Sequence, residues 1–339
     1  MQKKEKYNVA IVGATGLVGE HLLEILEERD FPVDNLYPLA SSRSLGKTVS
    51  FKGQEYAVLE LDSFDFEEVD FAFFSAGASV SRIHAVRAAS QGSMVIDNTS
   101  EFRMQDSVPL VVPECNPGDV HLASETKIIA NPNCSTIQMV VALKPIHDAY
   151  RVKRVNVATY QATSGAGRSF MELLESSSRE MLSGVDTELG DQDHPVAFNV
   201  VPKIDVFQDN GYTKEEMKMV NETKKILHDN SILVNPTCVR VPVFYGHSEA
   251  LHIETEITPN IEQVIEMLDS APGIKLINGL QNGQYPTPKF HGTGNDAVYV
   301  GRVRQDVSCK NGLNLWVVSD NIRKGAALNS IQIAELLLN

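Results

Sequence analysis

The sequence predicts a two-domain α/β protein in which a doubly wound parallel sheet comes first and an α+β domain with a mixed or antiparallel sheet follows. Three observations predict it: a strand–glycine turn–helix opening, a strand–helix alternation up to about residue 132, and period-2 patterning after it. Tyr7–Val12 is an apolar run followed at once by Gly13-Ala14-Thr15-Gly16-Leu17-Val18-Gly19. Val18, Leu22, Ile25 and Leu26 then recur on one face of a helix. Further buried strands are expected at Val69–Phe74, Met94–Asp97 and Ile128–Ala130, with a helix over Val80–Ala89.

Beyond residue 132 the character changes. Val155, Val157 and Thr159 alternate with polar neighbours, and Leu251, Ile253, Thr255 and Ile257 alternate with His252, Glu254 and Glu256. That is a sheet with one dry face. Helices are expected over Ser169–Leu182, Thr213–Asp229 and Asn260–Leu268, and a Gly- and Asp-rich loop over Gly184–Pro195. Ile322–Leu338 places Ala327, Ile331, Ala334 and Leu338 on one stripe of a terminal helix.

At 339 residues, 42% hydrophobic and 22% charged, the chain has the make-up of a globular protein of two ordinary domains, which excludes extensive disorder. The net charge of −14, with no basic stripe, argues against nucleic acid. An anionic substrate would need local Arg and Lys residues to overcome that field. Met1–Lys6 lacks the apolar core of a secretory leader, and no apolar run approaches the ~20 residues of a membrane span, so the expected location is cytoplasmic. Cys115, Cys134, Cys238 and Cys309 are far apart and form no C-x-x-C pair, which disfavours a disulfide framework or a metal site.

The glycine turn lets backbone amides and a helix N-terminus face a pyrophosphate, as in a Rossmann-like dinucleotide-binding domain. Its G-x-x-G-x-x-G spacing is also that of a plain structural turn. The segment Ser41-Ser42-Arg43-Ser44 stands where an NAD site usually carries an acid. Hydroxyls plus Arg43 suit a 2′-phosphate, so NADP is the expected cofactor; a solvated basic loop is the other reading.

Asn131-Pro132-Asn133-Cys134-Ser135-Thr136 follows a strand and precedes a helical run from Ile137 to Ile146. Cys134 therefore lies at or just before a helix N-terminus, where unpaired amides favour a thiolate and can receive an oxyanion, helped by the Asn133 amide. The other three cysteines lack such a setting. A thiolate nucleophile needs a proton-handling partner near neutral pH, which points to histidine. Of nine, His21 and His228 read as structural, and His247 follows Gly246 at a loop tip able to reach a cleft. Composition alone does not rank it above the rest.

Together, Gly13–Gly19, the Asn-Pro-Asn-Cys-Ser-Thr segment, Gln161 within Tyr160-Gln161-Ala162-Thr163-Ser164-Gly165-Ala166-Gly167, and the Arg240…His247 segment resemble aspartate-semialdehyde dehydrogenase from Val9 to the last helix. The chain departs from that pattern at no chemical position. The resemblance implies NADPH-dependent reduction of aspartyl phosphate to the semialdehyde with release of phosphate, at the branch towards lysine, methionine and threonine. It implies Cys134 as acyl-thioester nucleophile, His247 as general acid/base and Gln161 as orienter of the acyl group. Arg240 would clamp the substrate α-carboxylate, Glu222 would hold its ammonium, Asn133 would also bind substrate, and Arg103 and Lys225 would bind phosphate. Gly13, Thr15, Gly16, Leu17, Val18, Ser41, Ser42, Arg43, Ser44, Ser164, Gly165 and Asn321 correspond to cofactor contacts. The division implied is 1–132 with 320–339 for the NADP-binding domain and 133–319 for the α+β catalytic and dimerisation domain, a homodimer being expected. No metal is implied. Glu222 and Lys225 are three apart on a helix and point the same way, which also describes an ordinary surface ion pair. The alternatives are an N-acetyl-glutamyl-phosphate reductase, which usually has glycine at the position of Asn133, and a nucleotide-sensing regulator that kept the fold and lost catalysis.

Overall fold

The computed structural model describes residues 3–185, 194–279, 281 and 283–338. The chain divides into two compact units, Met1–Asn133 with Ala326–Asn339, and Cys134–Gly325. The crossing back to the first unit thus comes at Ala326 rather than at the expected residue 320.

In the first unit β1 (Tyr7–Val12), α1 (Leu17–Glu28) and β2 (Val33–Ala40) are followed by the hairpin β3 (Thr48–Phe51) and β4 (Gln54–Ala57). Then come β5 (Leu59–Glu60), β6 (Phe71–Phe74), α2 (Ala78–Ser90), β7 (Met94–Asp97) and β8 (Ile128–Ala130). The parallel sheet runs β5-β2-β1-β6-β7-β8, so the strand order reverses beside β1. Ligands of open α/β sheets bind at such a reversal, outside the carboxyl ends of the strands. The strand expected from Val69 begins at Phe71, because the Val69 amide turns back to the Phe66 carbonyl at 2.9 Å. The apolar stripe of α1 (Leu22, Ile25, Leu26) packs into one core with Val9, Ile11 and Phe71.

The second unit opens with α3 (Cys134–Tyr150), then β9 (Val152–Gln161), α4 (Arg168–Leu182), α5 (Lys214–Leu227), β10 (Leu233–Arg240) and β11 (His247–Thr255). α6 (Ile261–Ser270), β12 (Ile274–Leu276), β13 (Val298–Gln305) and β14 (Gly312–Ser319) complete it. The six strands form one mixed sheet, β10-β9-β11-β14-β13-β12, parallel only at its two edges. Val155, Val157 and Thr159 on β9 and Leu251 and Ile253 on β11 are buried on one face, the face that the alternation marks as dry. α3 packs against β9, β11 and β14. The expected loop Gly184–Pro195 falls largely outside the described residues.

The last helix is shorter than the expected Ile322–Leu338. The Asp320 carboxylate accepts the amides of Ile322 and Arg323 at 2.8 and 2.9 Å, and a π-helical turn, Arg323–Ala327, precedes α7 (Leu328–Leu336). Ile331, Ile333 and Ala334 of α7 join the core of the first unit. Its Asn329 amide donates to Asn131 Oδ1 at 2.7 Å and to the Val111 carbonyl at 3.1 Å, which anchors it beside the end of β8. Among the described residues no helix is long and apolar enough to cross a membrane.

Candidate active site

Sheet register assembles the second unit's chemistry. β10 and β9 pair Arg240 with Gln161, and β11 and β14 pair His247 with Ser319. The β9–β11 register, with Ser248 opposite Tyr160 and Glu249 opposite Thr159, brings His247 to Gln161. One rung on the dry face therefore reads Arg240, Gln161, His247, Ser319, and all four side chains are buried. Three strands from separate parts of the chain end together here.

Each member is fixed by named partners. Gln161 Oε1 accepts from the Thr159 hydroxyl at 2.9 Å and its Nε2 donates to Glu215 Oε1 at 3.2 Å. The two Nε2 atoms of Gln161 and His247 lie 3.5 Å apart. Arg240 donates to the Ala162 carbonyl, and its guanidinium lies 5.6 Å from the centre of the Phe170 ring. The Ala162 amide donates to His247 Nδ1 at 3.0 Å, which leaves the proton of the neutral imidazole on Nε2. Burial, then the Arg240 charge, drives the His247 pKa down to about 3 against the pull of Glu215, so the ring is neutral at physiological pH. It is the first residue of β11, directly after the Gly246 turn, and is fully buried, where a loop tip able to reach a cleft was expected.

Cys134 is the first residue of α3, part-exposed and unbridged, with the helix amides at its back. Burial lowers the Arg240 pKa, and Glu215, then Cys134 and Cys238, offset only part of it. Cys238 is buried and pushed up by desolvation, then by Glu215, so that thiol stays protonated and inert. Gly325, which the sequence did not single out, backs the nucleophile. A Cβ there would lie 2.7 Å from Cys134 Cβ and 3.2 Å from its Cα. Gly325→Ala is expected to displace the sulfur and slow its alkylation by iodoacetamide about tenfold, since misplacing a reactive atom by a fraction of an ångström weakens orientation steeply. An unchanged alkylation rate in the folded variant would show that the contact is relieved elsewhere.

The structure brings Glu215, not Glu222, to the rung. Thr213 caps α5 in a capping box with Glu216: the Thr213 amide donates to Glu216 Oε2 at 2.7 Å, and the Glu216 amide to Thr213 Oγ1 at 3.3 Å. Glu216 Oε1 also accepts the Cys238 amide at 2.9 Å, tying the helix start to β10. Glu215 then faces Gln161 and pairs with Lys218 at 2.9 Å. Burial lowers the Lys218 pKa, but Glu215 and Asp205 outweigh it and the net shift is upward, so the ammonium stays charged. Glu222 is buried and Lys225 half-buried about 10 Å further along the same helix. The Glu-x-x-Lys spacing occurs twice in α5, at Glu215–Lys218 and at Glu222–Lys225. The two copies share one helix face, so the spacing alone does not rank them.

Ser164, Gly165 and Asn321 stand around the same rung. Asn321 Oδ1 accepts the Gly246 amide at 2.9 Å and its Nδ2 donates to Ser164 Oγ at 2.9 Å, so it holds the turn that delivers His247. A Cβ on Gly165 would lie 3.4 Å from Arg240 Nη1 and from His247 Nε2.

The remaining expected residues lie at or before residue 133. Asn133 is buried immediately before Cys134. Arg103 is buried and donates from Nη2 to the Asn98 carbonyl at 2.8 Å. Gly13 has φ +91°, and a Cβ on Gly19 would sit 2.2 Å from the Gly13 carbonyl oxygen, so glycine is required at both ends of the turn. Gly16 caps α1 without any side-chain hydrogen bond, leaving the first amides, from Leu17 and Val18 onwards, to a ligand. Ser41 and the short turn Ser42–Ser44 follow β2, with Arg43 exposed and Ser44 Oγ 3.4 Å from Thr15 Oγ1. Glycine turn, hydroxyls and one exposed guanidinium together fit the pyrophosphate and 2′-phosphate of NADP.

Residues 8–123 match the family described as semialdehyde dehydrogenase, NAD binding domain, and residues 143–324 match semialdehyde dehydrogenase, dimerisation domain. An aspartate-semialdehyde dehydrogenase of Shewanella violacea is 55% identical over 98% of both chains. That of Aquifex aeolicus is 54% identical over 98% of both. Among solved structures, aspartate semialdehyde dehydrogenase II of Vibrio cholerae complexed with ASA superposes with a TM-score of 0.96 at 54% identity, covering 99% of both chains. The Candida albicans enzyme with NADP gives 0.76 at 26% identity, covering 98% of both. With its sulfur at the head of α3 and its imidazole on the rung beside Gln161, the chain belongs to the aspartate-semialdehyde dehydrogenase family.

Proposed function

We propose that this chain interconverts aspartyl phosphate and aspartate semialdehyde, with NADP as redox partner and phosphate as second substrate of the oxidative direction. The observation that carries the reading is the rung Arg240–Gln161–His247 with Glu215 beside it. It offers a fork for a carboxylate, an anion for an ammonium and a neutral N–H donor for a carbonyl oxygen, on the face that α3 covers.

The steps follow from these groups. The Cys134 thiolate attacks the acyl carbon, a C–S bond forms, the C–O bond to phosphate breaks, and phosphate leaves. Arg240 binds the α-carboxylate through two oxygens, and Glu215, rather than Glu222, meets the ammonium. Lys218 pairs with Glu215 at that site, and Arg103 and Lys225 remain the candidates for phosphate. Bound NADPH supplies the hydride that reduces the thioester. The oxygen that becomes anionic is met by the α3 amides and by His247 Nε2–H. The negative charge strengthens the hydrogen bond from His247 Nε2–H, which can share its proton with that oxygen and recover it as the carbonyl re-forms, so no net proton is consumed. Collapse then breaks the C–S bond and frees the aldehyde and the thiolate. Ser164, Gly165 and Asn321 frame the cofactor side, and Gly13, Thr15, Gly16, Leu17, Val18 and Ser41–Ser44 with Arg43 hold its phosphates.

A dimer through the second unit fits the dimerisation-domain match. The sheet face opposite α3 carries a cavity of about 450 Å³ lined by Ala250, His252, Tyr285, Arg302 and Trp316, a surface suited to a second copy.

The direct test is NADPH absorbance with aspartate semialdehyde, phosphate and either nicotinamide cofactor. Phosphate-dependent reduction of NADP supports the reading, and equal or better turnover of N-acetylglutamate semialdehyde overturns it. A second check concerns His247. Its low resting pKa predicts that its Cε1–H resonance stays at the neutral-ring position from about pH 8 down to about pH 5, where an ordinary histidine titrates near 6.5. A midpoint between those limits in the free enzyme would contradict the buried neutral tautomer.

A further inference from the structure

One buried acid takes no part in the steps above. Glu249 lies two residues past His247 on β11, fully buried on the same face. It is opposite Thr159 on β9 and Val317 on β14. Thr159 is the residue whose hydroxyl holds Gln161. From the helix above, Gln138 is the polar side chain that acts on the Glu249 carboxyl. Gln138 is itself 1% exposed and lies one turn after Cys134. Both Glu249 oxygens and Gln138 Nε2 are buried without any hydrogen-bond partner among the described residues, on a face where α3 packs against β11.

We propose that Glu249 and Gln138 form an acid–amide pair that fixes the head of α3 over the strand carrying His247, which makes Glu249 a positioning residue of the reaction. The chemistry of the two groups supports it. Burial pushes the Glu249 carboxyl well above the usual carboxylate range, so it is held as the acid. A neutral acid has one O–H donor and one carbonyl acceptor, and a primary amide offers the matching acceptor and donors. A small side-chain rotation that brings them together lets the two satisfy each other reciprocally, whereas a carboxylate could only accept. Buried polar groups are costly in a core unless paired, and an apolar side chain of the same size would fill this place without that cost. What the pair adds is direction: it links one turn of the Cys134 helix to the position next but one to His247, and a hydrogen-bonded ring tolerates less sliding than an apolar contact.

The test is a set of variants in the full chain. Glu249→Leu leaves Gln138 buried without its partner, so it is expected to lower the melting temperature by a few degrees while keeping the fold and NADP affinity, and to lose about tenfold in kcat with KM for semialdehyde and phosphate within about twofold, as loss of alignment would do. Gln138→Leu is expected to match it. The exchange Glu249→Gln with Gln138→Glu rebuilds the pair the other way round and is expected to restore kcat to within about threefold of the parent. Overturning results are a folded Glu249→Leu with parental kcat, or a folded exchange variant as slow as either leucine variant. If the leucine variants do not fold, the exchange variant decides alone: parental stability and turnover support the pair, and failure of either sinks it. The inference rests on the Cys134 reading, and Cys134→Ala measured alongside separates the two. An active Cys134→Ala removes the reading itself, whereas an inactive one beside a fully active Glu249→Leu removes only the pair.

Discussion

Cys134→Ala is expected to lose at least about 10⁴-fold in phosphate-dependent NADPH formation while binding NADP normally, the scale seen when a covalent nucleophile is deleted from a site that keeps its other groups. The sulfur is the one atom that holds the acyl carbon through both halves of the reaction. Without it, Arg240 and Glu215 still bind substrate, and the α3 amides still face the carbonyl, so a small residue of catalysis is all that orientation and electrostatics can supply. NADP binding should survive because the glycine turn and Ser41–Ser44 belong to the first unit and Cys134 opens the second. Alanine keeps the Cβ that packs against Gly325, so the head of α3 is not expected to move. Steady-state assays and a binding titration on one preparation read both halves. Appreciable turnover in this variant would defeat the covalent mechanism.

Glu215→Gln is expected to raise KM for aspartate semialdehyde about 10–100-fold, the worth of one charge-assisted hydrogen bond of about 1.5–3 kcal/mol, while Glu222→Gln stays within about threefold of the parent. The amide oxygen introduced in place of the Glu215 carboxylate would still accept from Gln161 Nε2, so the rung keeps its shape. What goes is the negative charge, and with it one of the two acidic partners of Lys218 and the local counterweight to Arg240. Glu222 is buried on the same helix but about two turns away from that position. Kinetics of the two variants under identical conditions settle which acid meets the ammonium. The reverse ranking would return the role to Glu222.

These contrasts show what kind of information the sequence held. The glycine turn and Cys134 were legible because each draws its chemistry from its own neighbours: a strand before, a helix after, and amides at the helix head. The mixed sheet was legible for a similar reason, since Val155–Thr159 and Leu251–Ile257 each state their dry face by alternation. The rung was not. Arg240, Gln161 and His247 meet only because three strand ends are in register, and register is set by pairings between distant segments. The resemblance named all three without explaining their meeting. Glu215 was missed because α5 carries the same acid–base spacing twice, two turns apart on one helix face, and only the pairing of Glu215 with Gln161 on β9 separates the copies. Gly325 was invisible because its constraint is a contact with Cys134 from a distant part of the chain. The last helix began late because Asp320 captures the two amides that would otherwise have entered it.

The central claim is that Cys134 carries the acyl group. Intact-mass measurement of the enzyme, quenched in acid after mixing with aspartate semialdehyde and NADP while phosphate is withheld, tests it most directly. The account predicts a gain of one aspartyl group per chain, mapped to Cys134 by peptide analysis, formed together with one equivalent of NADPH and discharged when phosphate is added. NADPH formed on phosphate addition, with Cys134 unmodified at every earlier time, would contradict it.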